Sequence, residues 1–239
     1  ARAGDFFTAL DKKVRHNKRL PVWRGELYYE FHRGTYSSMA KNKKNNRKAE
    51  FLLENAEWAS VLAVQLTGGS YPAAALDSCW KTLLLNQFHD VLPGSSIKAV
   101  YDDTDTLYKD LFRRGGGLLM GALGHIAVSI GAPAGSVIAF NPLSWEREPA
   151  VYFQAETGSW ALSGGGQVFL AQKCHDGGYV SLVRGIPPKG WLALQIVPGI
   201  AAPAVKASPS LLENECVGVR LDGNGNLKSV YDKRAGRET

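Results

Sequence analysis

Cysteine is scarce in this chain of 239 residues: Cys79, Cys174 and Cys216 are widely spaced, odd in number and without a Cys-x-x-Cys pair. That excludes a secreted disulfide framework. No Asn-x-Ser/Thr sequon occurs, so glycosylation gives no sign of a secretory route. No apolar run approaches the ~18 residues that a membrane-spanning helix needs. Internal repeats are absent, and so are the Gly-x-Gly-x-x-Gly turn, the P-loop lysine motif and the Gly-x-Ser-x-Gly elbow. Nothing therefore announces a solenoid, a nucleotide site or a hydrolase nucleophile. Excess charge is modest: 28 Lys and Arg against 22 Asp and Glu give +6. Much of that excess lies in 41–48, which reads as a solvated basic loop or helix entry. A nucleic-acid face would spread its charge and interleave it with aromatics, so neither nucleic acid nor membrane is an expected partner. The start, Ala1-Arg2-Ala3-Gly4-Asp5, is neither an initiator Met nor a signal peptide, and Arg237-Glu238-Thr239 stops just after a hairpin turn. Both edges read as cuts through a longer protein.

What is present is ordinary globular composition, 45% hydrophobic and 21% charged, arranged in two patterns. Between 47 and 66, Leu52, Ala56, Ala59, Ala63 and Leu66 recur at steps of three and four, widened by Phe51, Trp58 and Leu62. This predicts a helix packed on two neighbours. Thr67-Gly68-Gly69-Ser70 breaks it, and Pro72 opens a second helix carrying Leu76, Trp80, Leu83, Leu84 and Phe88, with Asp77 and Lys81 able to pair at i,i+4. Beyond Pro93-Gly94, Ser95 or Ser96 is placed to cap a third, with Ile97, Val100, Thr104, Leu107, Tyr108 and Leu111 along one face. Three helices of roughly 17–20 residues predict an antiparallel bundle. Gly115-Gly116-Gly117 ends the helical half, and 116–135 reads as a flexible linker.

From 136 to 239 the pattern changes. Short β-prone runs at 137–140, 151–154, 167–171, 179–183 and 191–196, separated by Gly and Pro turn clusters, predict an antiparallel sandwich or barrel. Asp222-Gly223-Asn224-Gly225-Asn226 between 217–221 and 227–231 is a hairpin signal, although its second strand has little chain left to pair with. The expected fold is thus mixed and multi-domain: a three-helix bundle over 37–115, then a partial antiparallel β-sandwich-like domain.

Candidate chemistry is confined to two stretches. The five histidines, His16, His32, His89, His125 and His175, never fall at i,i+4 with a companion ligand, and adjacent Cys174 and His175 would face opposite sides of a strand. Residues 83–95 (LLLNQFHDVLPGS) place Asn86, Gln87, His89 and Asp90 at the end of an apolar helix. Two readings stand side by side. His89 caps the helix C-terminus next to Asp90, or it gives a neutral imidazole to a metal with Asp90 supporting it or meeting substrate. A catalytic zinc needs about three protein ligands; only one is credible here, so the others would come from another chain segment. The second stretch, 23–36 (WRGELYYEFHRGTY), suggests a short strand at 27–31 and then a loop rich in Tyr, Arg and hydroxyl groups. The aromatics Tyr152, Trp160, Tyr179 and Trp191 leave open a non-enzymatic carbohydrate-binding or scaffold module.

The blocks 23–36 and 83–95, with Phe140-Asn-Pro-Leu-Ser-Trp-Glu-Arg147 and its echo Val230-Tyr-Asp-Lys-Arg-Ala-Gly-Arg237, occur in an order that resembles glycoside hydrolase family 38, the zinc-dependent α-mannosidases. The resemblance implies a retaining enzyme that removes terminal α-mannosyl residues from mannose-containing oligosaccharides. It implies that 1–36 is the tail of a catalytic α/β domain whose main part precedes residue 1. It further implies that His89 is a zinc ligand and Asp90 a sugar contact, with the nucleophile and the acid/base upstream. Arg33 and Tyr36 are either neighbours of the sugar or loop-fixing groups. The form of the 23–36 block is similar to the cytosolic and bacterial branch, so a cytoplasmic location is expected. By itself the chain is expected to be silent and to hold zinc weakly, if at all.

Overall fold

Small residues at three- and four-residue steps allow two long helices to approach closely, and this decides the first half of the molecule. The computed structural model describes residues 2–27, 30–199 and 205–239. Helix α1 (Ala3–Val14) buries none of its residues. A 3₁₀ helix follows over Glu30–Tyr36; the strand expected at 27–31 is not formed by Glu30 and Phe31, and Tyr28 and Tyr29 lie outside the described residues. The stretch expected as loop is therefore mostly a tight helical turn.

Helices α2 (Ala40–Thr67), α3 (Ala73–Asn86) and α4 (Lys98–Ser129) form the three-helix bundle. Asn42, Asn46, Ala49, Leu53, Ala56, Ala59, Ser60 and Ala63 make the buried stripe of α2. Its C-terminus turns at Gly68, whose φ of +70° suits glycine. Cys79 and Leu83 of α3 pack with Ala49, Leu53, Tyr108 and Leu111, and the Asp77–Lys81 pair forms at 2.7 Å. The helix lengths differ from expectation: 28, 14 and 32 residues. Neither Ser95 nor Ser96 caps α4, which starts after Ile97 without a side-chain cap.

The largest correction concerns α4, which runs straight through Gly115-Gly116-Gly117, so the segment read as linker is helical as far as Ser129. Glycine costs a helix about 1 kcal/mol relative to alanine, but tertiary packing outweighs it here. A Cβ at Gly115 would come within 3.1 Å of Leu52 Cδ2 and 3.3 Å of Leu53 Cδ2. Further along, Ala122 and Ile126 close on Ala59 and Ala63. No helix among the described residues is long and apolar enough to cross a membrane.

Strand β1 (Val137–Asn141) joins the halves, because Phe140 packs on the Ala59, Ala63, Ala122 and Ile126 cluster. It belongs to a six-stranded antiparallel sheet with β2 (Ala150–Phe153), β3 (Trp160–Gly164), β4 (Gln167–Lys173), β5 (Tyr179–Leu182) and β6 (Gly190–Pro198), in the order β1-β6-β3-β4-β5-β2. Strand β3 has no counterpart among the expected runs: its small residues Ala161, Ser163 and Gly164 give a weak β signal. Phe153, Leu162, Phe169, Tyr179, Val183, Ile186 and Leu194 form this half's core. Buried Asn141 fixes the strand exit, donating through Nδ2 to Trp145 O (2.7 Å), Pro187 O (3.0 Å) and Ile186 O (3.2 Å).

A second sheet orders β7 (Lys206–Ser208), β8 (Leu211–Glu213), β9 (Val217–Leu221), β10 (Leu227–Asp232) and β11 (Arg237–Glu238) as β11-β10-β9-β8-β7. The expected hairpin is β9–β10, its turn held by Asp222 Oδ1 accepting from Asn224 N (2.8 Å) and Asn226 N (2.9 Å). The Asn226 side chain, donating through Nδ2 to Asp222 Oδ2 (2.9 Å), and then these backbone bonds hold the Asp222 carboxyl below its usual range. Strand β10 does find a further partner, β11. Leu170, Val180 and Leu182 of the first sheet and Glu213, Asn214 and Lys233 near the second line one pocket of about 720 Å³; the helical bundle is thus followed by two antiparallel sheets in a sandwich-like part.

Candidate functional site

Helix α3 stops at Asn86 and Gln87 is its C-cap, with its N–H 3.1 Å from Leu83 O and from Leu84 O. His89 therefore lies two residues beyond the cap. The chain then coils through successive tight turns: Val91 N to Phe88 O (2.8 Å), Leu92 N to Phe88 O (3.1 Å), Gly94 N to Val91 O (3.2 Å). Gly94 has φ +88°, and a Cβ there would lie 2.7 Å from Ser38 O, so only glycine fits.

Turns of this kind expose backbone groups that need partners, and a polar row on α2 binds one of them and the Gln87 side chain. Asn42, Asn46 and Glu50, four residues apart, share one helix face. Asn42 Nδ2 donates to Val91 O (2.9 Å). Gln87 Nε2 donates to Asn46 Oδ1 (3.0 Å) and Glu50 Oε1 (2.9 Å), and Asn46 Nδ2 donates to the same Glu50 oxygen (2.9 Å). Arg47 holds the other Glu50 oxygen at 2.6 Å. Beside this row, Lys43 Nζ donates to Ser38 O (2.6 Å), Leu92 O (3.1 Å) and Pro93 O (3.1 Å). Burial holds the Lys43 ammonium below the ordinary lysine range. From α4, the Tyr101 hydroxyl accepts from Ser96 N (3.1 Å) and lies 3.3 Å from Val91 O and 3.4 Å from Asp90 O.

With the backbone of the turn thus occupied, its side chains at 89 and 90 are left outside. The His89 side chain is 76% exposed and that of Asp90 61%, with His89 Nε2 3.4 Å from Asp90 Oδ2. The Phe88 ring, itself exposed, lies 4.2 Å from the imidazole. Chemically the pair offers one nitrogen donor and one acceptor-only carboxylate. No group of three or more His, Cys, Asp or Glu suited to a metal occurs among the described residues. The donor set fits a contribution to a centre completed by other groups, and does not fit a metal site of its own.

The other expected site residues sit on the 3₁₀ helix. Arg33 pairs with Glu30 at 3.4 Å, and Tyr36 is exposed. Thr35 Oγ1 donates to His32 O (2.7 Å), while Ser37 N and Ser38 N donate to Gly34 O (3.1 and 2.8 Å). The two stretches meet where Ser38 presses on Gly94. The holding residues Asn42, Lys43, Asn46 and Glu50 escaped the sequence reading because they lie in the basic run 41–48 or just past it. Their four-residue spacing was the available signal. That run is also less free than expected: Lys41 pairs with Asp105 and Lys43 is half-buried.

Of the aromatics considered for sugar stacking, Tyr179 is buried and its hydroxyl is used internally, donating to or accepting from Gly158 and Glu156 backbone groups. Trp160 Nε1 donates to Glu156 O (2.6 Å). The Tyr152 ring is half exposed, and its hydroxyl bonds Asp176 (3.2 Å).

Residues 30–126 match the family described as the alpha mannosidase middle domain. Alpha-mannosidase 2C1 of Mus musculus is 34% identical over 98% of this chain and 21% of its own length. An alpha-mannosidase of Saccharomyces cerevisiae is 44% identical over 41% of this chain and 9% of its own. The chain thus spans about a fifth or less of the length of these relatives. The crystal structure of an alpha-mannosidase from Enterococcus faecalis shares the fold, with a TM-score of 0.66 and 21% identity over 99% of this chain and 33% of that one. Sequence blocks, bundle and relatives agree: the chain belongs to the glycoside hydrolase family 38 α-mannosidases and carries their middle domain.

Proposed function

We propose that this chain works within a zinc-dependent retaining α-mannosidase that hydrolyses terminal α-mannosyl residues of glycans. One observation carries the reading: a turn bound at its backbone from α2 and α4 holds His89 and Asp90 exposed and adjacent, 3.4 Å apart. Zinc at such a site supplies Lewis-acid polarisation of the sugar oxygens. His89 offers a neutral imidazole lone pair to it. Asp90, as a carboxylate, accepts hydrogen bonds from sugar hydroxyls and orients the ring. Arg33 and Tyr36, on the segment joined to this turn through Ser38, flank the sugar. Retaining cleavage requires a nucleophile and an acid/base carboxyl about 5–5.5 Å apart, and we assign both to polypeptide outside these 239 residues. The test is His89→Ala in the full-length enzyme, with metal content and turnover measured together. Both are expected to fall by at least about tenfold, the loss that even an outer-shell partner of a ligand commonly causes. Metal retained at wild-type affinity would overturn the role given to His89.

A further inference from the structure

Lys43 belongs to neither stretch of the site, yet it touches both. Its ammonium has three N–H donors and three acceptors, all backbone carbonyls: Ser38 O, two residues after the 3₁₀ helix, and Leu92 O and Pro93 O, just after the His89–Asp90 turn. Asn42, Asn46 and Tyr101 each bind the turn without Ser38. Ser38 O also lies where any side chain at residue 94 would have to go. Without a cation between them, three carbonyl oxygens would converge with like partial charges and no donor, so the two backbones would move apart. Arginine cannot replace the ammonium without loss, because its flat fork does not match three acceptors around one nitrogen.

We propose that Lys43 is a positioning residue: a cationic latch that joins the segment bearing Arg33 and Tyr36 to the turn bearing His89 and Asp90 and keeps the four in one register. The latch itself is geometric; its consequence for zinc and sugar rests on the function proposed above.

The experiment uses the full-length enzyme with Lys43→Met, Lys43→Arg and, as a control on the same basic run, exposed Lys44→Met. Three quantities are read: amide hydrogen exchange at Val91, Leu92 and Gly94, the rate of zinc loss to a chelator, and kcat with KM. Lys43→Met is expected to speed exchange and zinc loss by about tenfold and to lower kcat/KM similarly, with helical circular dichroism unchanged. Lys43→Arg is expected to recover part of each, and Lys44→Met to match the wild type. Wild-type exchange and zinc retention in Lys43→Met would overturn the proposal. If that variant does not fold, Lys43→Arg carries the test, and wild-type values in it would overturn the latch. The exchange readout is independent of metal, so the two readings fail separately. Fast exchange in Lys43→Met, alongside zinc retained in His89→Ala, refutes the zinc role and upholds the latch. Normal exchange, alongside zinc lost in His89→Ala, refutes the latch alone.

Discussion

Tyr108 in the bundle and Tyr179 in the β half are buried alike and stacked alike: each is 1% exposed, the first 6.0 Å from Phe112 and the second 5.8 Å from Phe153. Their hydroxyls differ. That of Tyr179 accepts from Gly158 N at 3.0 Å and lies 3.1 Å from Glu156 O. That of Tyr108 has no hydrogen-bond partner among the described residues. In the β half Asn141 and Ser181, like Tyr179, find partners within its own loops and strands, and Ser136 Oγ at its entry has none among the described residues. The bundle leaves its core tyrosine unpaired and directs Asn42, Lys43, Asn46 and Glu50 outward to hold the 87–94 turn. One half is organised to be self-sufficient, the other to present a turn, and the candidate chemistry lies in the second.

Three substitutions sharpen or break that contrast. The largest effect is expected from Gly94→Ala, which forces a Cβ against Ser38 backbone at a positive φ; it should cost about 3 kcal/mol. Urea unfolding followed by helical circular dichroism checks this, and a wild-type midpoint would mean that the turn is not held against residue 38. Next, Asn141→Ala leaves the carbonyls of Trp145, Ile186 and Pro187 without their common donor, a loss of about 2 kcal/mol. Hydrogen exchange should show it in β1 and β6 and leave α2 and α3 unchanged; equal loosening of the bundle would contradict the division into halves.

The smallest effect is a pH dependence. Burial first, and the Glu50 charge second, push the Tyr108 hydroxyl from 10 up to about 12. In the unfolded chain it ionises near 10 while the folded form still holds its proton, so this stability is complete below pH 10 and is lost as the pH rises towards 12. At pH 11 the loss amounts to about 1.4 kcal/mol. Comparing denaturant midpoints of the wild type and Tyr108→Phe at pH 8 and 11 isolates it. Because the hydroxyl is unpaired, Phe should cost little or nothing at pH 8.

Much of the bundle was legible because α2 and α3 keep apolar residues at helical spacing, and the β9–β10 hairpin because Asp222, Gly225 and Asn226 have few other uses. The continuation of α4 was not legible. Gly115-Gly116-Gly117 reads as a break until the side chains of Leu52 and Leu53 fill the space beside it, a long-range fact that no local window contains. Strand β3, lying between β6 and β4, was hidden for a similar reason, since its register comes from its neighbours. At the site, the chemistry-bearing His89 and Asp90 stood out by residue type. The residues that hold them did not: Lys43 looks like any lysine in a basic run until three carbonyls are found around it.

In the function proposed above, the bundle presents His89 to a metal completed by other parts of a longer protein. Zinc affinity of the full-length protein with His89→Ala, measured by competition with a chelator while folding is followed by circular dichroism, tests it most directly. An unchanged fold with zinc bound at least about tenfold more weakly is expected. Wild-type zinc affinity in a folded His89→Ala enzyme would contradict it.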